Sequence, residues 1–102
     1  MNTRIAPGRL VVSTAGRDSG KFYLILDLAG DNMVWLVNGR DRKLAAPKKK
    51  NTRHIKVYPR LAAEVAAKIA SGQRVNDQDI RKALTHLLNG PEQNPDPEPG
   101  GR

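Results

Sequence analysis

The chain has 102 residues, with 18 Lys and Arg against 10 Asp and Glu, a formal charge of +8 and a pI near 10.3. That is a single-domain length, and a domain this small buries only about 60–65% of its unfolded surface. The absence of cysteine excludes disulfides, thiolate metal sites and thiol catalysis, while the excess of cations points to a polyanionic partner.

Residues 1–20 hold no apolar run of signal-peptide length, and no stretch approaches the roughly 20 apolar residues of a membrane helix. The expectation is a cytoplasmic protein with no membrane association. Leu10-Val11-Val12, a β-branched run between Gly8 and Gly16, reads as the first strand. Phe22-Tyr23-Leu24-Ile25-Leu26-Asp27-Leu28 is the second, and it ends at the turn cluster Ala29-Gly30-Asp31-Asn32. Met33-Val34-Trp35-Leu36-Val37 returns as the third, before the turn dipeptide Asn38-Gly39. Lys43-Leu44-Ala45-Ala46, stopped by Pro47, is a candidate fourth strand, and Ile55-Lys56-Val57-Tyr58 alternates as a fifth. Five short strands within residues 1–58 predict a small, strongly bent barrel.

The period changes over residues 59–90. Leu61, Val65 and Ile69 recur at helical spacing before Gly72. A second helix starts at the N-cap Asn76 with Asp79 three residues on, carries Ile80, Leu84, Leu87 and Leu88 as an apolar stripe, and stops at Asn89-Gly90-Pro91. The two helices are expected to pack as an α-hairpin on the barrel. Residues 91–102 contain four prolines and no large apolar residue, so burial cannot offset their ordering entropy and they are expected to be disordered. The predicted class is mainly β with C-terminal helices.

Nine basic residues lie between Arg40 and Arg60, opposed there only by Asp41. Half of the chain's cations thus fall in a fifth of its length, unlike a solubilising surface that intersperses the two signs. Pro47-Lys48-Lys49-Lys50-Asn51-Thr52-Arg53-His54 is the densest part. Three consecutive lysines cannot all face one way along a strand, so this segment is expected to be a loop that follows a phosphate path. Asn51 and His54 add neutral donors for phosphate, ribose or base edges, and Arg40, Arg42 and Lys43 lie close by in sequence. The other basic motif is Gly16-Arg17-Asp18-Ser19-Gly20-Lys21, a tight turn with Arg17 and Lys21 as its cations. It lacks a Walker pattern because Phe22 follows the lysine, which excludes that mode of nucleotide binding.

Phe22, Tyr23, Trp35 and Tyr58 are the only aromatics, and three of the four fall in apolar strand patterns that assign them to core packing. Few aromatics favour recognition of backbone and shape over base stacking. His54 and His86 are far apart in sequence, and no metal-ligand spacing or catalytic carboxylate pair stands out. No enzyme activity, cofactor or metal is therefore expected. A protein-interaction module and a DNA-binding architectural protein remain alternatives, because basic charge and a small barrel do not separate them from an RNA binder.

Residues 16–21 look like a KOW motif. Together with Gly8-Arg9-Leu10-Val11-Val12, Asp31-Asn32-Met33-Val34 and the segment 48–54, they resemble the fourteen-e family of archaeal and eukaryotic large-subunit ribosomal proteins. Ala15 to Lys21, Pro47 to His54 and Asp77 to Leu84 are similar to small bacterial KOW domain-containing RNA-binding proteins. The resemblance implies an SH3-like barrel, RNA (rRNA above all) as partner and association with the large ribosomal subunit or translation. It also implies RNA contacts at Arg17, Lys21, Lys48, Lys49, Lys50, Asn51, Arg53 and His54.

Overall fold

A computed structural model gives the fold of residues 5–89; the tail expected to be disordered, residues 91–102, lies outside the described residues. Five strands, β1 (Arg9–Ser13), β2 (Phe22–Leu28), β3 (Met33–Val37), β4 (Lys48–Asn51) and β5 (Ile55–Leu61), precede the helices α1 (Ala63–Ser71) and α2 (Asp77–Asn89). The strands form one antiparallel sheet in the order β4-β3-β2-β1-β5.

The fourth strand is not where the sequence pattern puts it. Residues 43–46 form a turn closed by the Ala46 N–H donating to the Lys43 carbonyl at 2.9 Å. The strand is the lysine run itself, registered with Lys48 opposite Leu36, Lys49 opposite Trp35 and Lys50 opposite Val34. Side chains alternate along a strand, so Lys48 and Lys50 point to one side and Lys49 to the other. The three lysines indeed do not face one way, but this is the alternation of an edge strand and not the mark of a loop.

Each face of the sheet carries a buried apolar cluster. Leu10, Leu24 and Val37 join Ala62, Val65, Ile80, Leu84 and Leu87 in a cluster between sheet and helices. Val11, Tyr23, Ile25, Val34, Leu36 and Ile55 form a second cluster that contains no helical residue. The two-residue period sends chain neighbours such as Leu10 and Val11 to opposite clusters. A buried face with no covering layer has to curl over itself.

The connectivity requires the same bend. β4 and β5 are the two edges of the sheet, about 19 Å apart if five strands lay flat at ~4.8 Å spacing. Only the 3-10 turn Thr52–His54 joins them, and three residues at ~2 Å rise span about 6 Å. The edges are therefore drawn together at this corner. Among the described residues no ladder pairs β4 with β5.

α2 begins with a reciprocal cap: Asp79 N–H donates to Asn76 Oδ1 at 2.8 Å, and Asn76 N–H donates to Asp79 Oδ2 at 3.1 Å. Ile80, Leu84 and Leu87 are buried, but Leu88, expected in the same stripe, is 42% exposed. α1 ends on left-handed Gly72. Leu61, expected on this helix, instead ends β5 opposite Arg9, because pairing with β1 continues past Pro59.

α2 braces the loop between β3 and β4. Arg81 donates to the Gly39 carbonyl at 2.8 Å, and Asp77 Oδ1 accepts from Leu44 N–H at 2.8 Å. Gly39 has φ +76°, and a Cβ there would lie 2.6 Å from the Asp77 carbonyl oxygen and 2.8 Å from Arg81 Cγ. Gly39→Ala is expected to cost about 2 kcal/mol through left-handed strain and displacement of α2. A chemical-denaturation midpoint equal to that of the parent would contradict this close approach.

Candidate nucleic-acid interface

The turn between β1 and β2 is organised by an acid that sequence reasoning passed over. Asp18 is buried, and its carboxylate accepts from Ser13 Oγ at 2.8 Å, Lys50 Nζ at 3.0 Å and Tyr23 Oη at 3.2 Å. Lys48 Nζ stands 3.8 Å away. Burial pushes the carboxyl up, but the hydrogen bonds from Lys50 and Ser13 and the two lysine charges outweigh it and hold Asp18 at about 2. Burial, reinforced by the Asp18 carboxylate, pushes the Tyr23 phenol up to about 12, so it stays a neutral donor. The available signal was a lone acid inside an otherwise basic turn.

Three other segments meet this turn. Lys50 Nζ also donates to the Ala15 carbonyl at 2.8 Å, which ties β4 to it across the curl of the sheet. The Thr14 N–H donates to the His54 carbonyl at 2.9 Å, which seats the 3-10 turn beside it. Lys21 Nζ pairs with Asp41 at 2.7 Å and draws in the β3–β4 loop. That loop is wound around buried Asn38, whose Oδ1 accepts from the Arg40 and Arg42 N–H groups and whose Nδ2 donates to Asp41. Hydrogen bonds from Lys21 and Asn38 hold the Asp41 carboxyl at about 2.

The sequence-predicted residues therefore separate by what their side chains touch. Lys50 is tied into the fold, with its side chain only 11% exposed, and Lys48 leans on the same carboxylate. Asn51 caps the 3-10 turn by accepting from the Arg53 N–H at 2.9 Å. Lys21 is exposed but paired. Arg42 is half-buried, and Arg17, Arg40, Lys43, Lys49, Arg53 and His54 are exposed. Among the described residues no ion pair engages Arg17, Arg40, Lys43, Lys49 or Arg53. The contacts gather the segments bearing these cations around one turn, an arrangement suited to neutralising several phosphates without base chemistry.

This division makes a simple prediction. Lys50→Ala should lower stability by about 1–2 kcal/mol, because Asp18 loses its closest cation while still buried. Lys49→Ala should fall within about 0.5 kcal/mol of the parent. Equal thermal midpoints for the two variants would contradict it. Among the described residues there is no group of three or more His, Cys, Asp or Glu able to hold a metal, and no helix is long and apolar enough to cross a membrane.

No protein-family model matches the sequence. The chain is similar to the large ribosomal subunit protein eL14 of Hyperthermus butylicus, with 31% identity over 80 residues, covering 78% of this chain and 74% of that protein. An aligned segment of that extent takes in most of the sheet and helices just described, not a single turn. The chain belongs to the family of large ribosomal subunit protein eL14.

Proposed function

We propose that this chain is a non-catalytic, cytoplasmic RNA-binding protein associated with the large ribosomal subunit or with translation, holding structured RNA, rRNA above all, by its phosphates. The observation that carries the reading is that segments bearing exposed cations free of ion pairs meet at the β1–β2 turn in a member of a ribosomal family. Arg17, Arg40, Lys43, Lys49 and Arg53 are the phosphate contacts, with Arg42, His54 and Lys21 beside them. Lys48, Lys50 and Asn51 act mainly by shaping the surface.

The same reading takes the curled sheet as an SH3-like barrel of the KOW type. The three-residue link between its edges and the buried face without helices support that. Residues 5–61 then form the barrel, and α1 and α2 are a hairpin of which α2 holds the basic loop in place.

Sedimentation of the tagged full chain with ribosomal subunits, followed by salt washing, tests the proposal. Recovery with the large subunit, abolished as salt rises, is expected. Absence from subunit fractions, together with salt-insensitive capture of a protein, would favour the interaction-module alternative. Preference for duplex DNA over structured RNA in competition would favour the architectural one.

A further inference from the structure

Trp35 is the sole tryptophan, and it belongs to neither core cluster. Its neighbours Val34 and Leu36 turn into the second cluster, so the indole stands on the opposite face, half-buried. Its partners in register are Asp27 on β2 and Lys49 on β4. Both are exposed. A carboxylate, an indole and an ammonium thus form one row across three adjacent strands. Lys49 Nζ lies 5.6 Å from the indole centroid, close to the ~6 Å limit of a cation–π contact, so it covers the ring only loosely.

We infer that this row binds an unpaired guanine base of the RNA, an inference that rests on the phosphate-binding reading above. The indole is the stacking platform, since folded RNA is read mainly at bases splayed out of its helices. Lys49 swings from the ring to the adjoining phosphate. Asp27 accepts from the base edge. Its Oδ1 already takes the Leu28 N–H at 2.8 Å, which fixes the carboxylate's orientation, and an ionised carboxylate has about four lone-pair sites, so capacity remains. Guanine fits because its Watson–Crick edge offers two adjacent donors, N1–H and N2–H, to two carboxylate oxygens; no other standard base does. Strand spacing sets the Asp27 and Lys49 backbones about 4.8 Å to either side of that of Trp35, so both side chains can reach the surroundings of a base stacked on the indole.

The sole tryptophan is also the reporter. The full chain is titrated at low salt, where phosphate contacts hold any RNA, with a hairpin carrying one bulged guanosine and with its adenosine and abasic counterparts. The guanosine hairpin is expected to quench indole emission and to bind about tenfold tighter than the abasic one. Asp27→Asn should abolish the preference for guanosine over adenosine. Trp35→Leu should abolish the preference over the abasic hairpin with the salt slope unchanged. A hairpin that binds with unaltered emission, or equal affinity for guanosine and abasic hairpins, overturns the base site and leaves the phosphate reading standing. Failure of every hairpin to bind overturns both. The emission and Asp27→Asn measurements decide the matter even if Trp35→Leu does not fold.

Discussion

Asp18→Ala is expected to destabilise the protein by about 3 kcal/mol and to lower the thermal midpoint by about 12–24 °C. The side chains of Asp18 and Lys50 are 10% and 11% exposed. A buried ion pair adds little net stability over apolar packing, but removing one partner leaves the other charge buried and uncompensated. Ser13 and Tyr23 would lose their acceptor in the same step. Acid should reproduce part of the loss. The Asp18 carboxyl titrates at about 2 in the fold against 3.8 ordinarily, so between these values the unfolded chain binds more protons. Its contribution is then complete above pH ~4 and disappears as pH falls through about 2, on the order of 2 kcal/mol. Asp41 is lowered similarly, but its half-exposed side chain is screened by solvent and contributes much less. Chemical denaturation of parent and Asp18→Asn between pH 2 and 5 (a window set by the two titration points) separates them: the parent should lose its advantage toward acid. Parallel curves would contradict the buried pair.

Replacing Arg17, Lys43, Lys49 and Arg53 together with alanine is expected to weaken binding to rRNA about a thousandfold, at roughly 1 kcal/mol for each of four charge-assisted hydrogen bonds. The slope of log affinity against log salt should flatten by about 3, at ~0.7–0.9 for each phosphate no longer neutralised. Stability should change little, since all four side chains are exposed and none is in an ion pair among the described residues. That separates this set from the more obvious target, the run Lys48, Lys49 and Lys50. Alanine at those three would expose a buried carboxylate, and a fall in affinity could then reflect a damaged turn. An unchanged slope in the fourfold variant, measured by filter binding across a salt series, would remove these residues from the interface.

Much of the fold was legible because the first three strands are apolar runs between turn residues and α2 announces its start. Leu10-Val11-Val12, the run 22–28 and the run 33–37 are apolar and bounded by turns, and Asn76 with Asp79 caps as the spacing predicts. The fourth strand was not legible, because its residues are lysines and its partners are supplied from far along the chain. Met33, Val34, Trp35 and Leu36 provide its register, and Asp18 accommodates two of its charges. The basic character of the site was equally plain. Its internal division was not, since composition does not distinguish Lys50, buried against Asp18, from Lys49, open above Trp35. Asn38 is a similar case: Asn38-Gly39 reads as a hairpin dipeptide, yet its side chain winds a ten-residue loop, 38–47, that α2 then secures.

RNA is expected to lie against the end of the sheet built on the β1–β2 turn. Ultraviolet crosslinking of the protein in isolated large subunits, with mass spectrometry of the crosslinked peptides, tests this placement most directly. Nucleotide adducts should map to residues 15–21 and 40–54, and to Trp35 where its base site is filled, with α1 and α2 largely free of them. Adducts confined to the two helices, or none in a preparation where the protein sediments with the subunit, would place the RNA elsewhere.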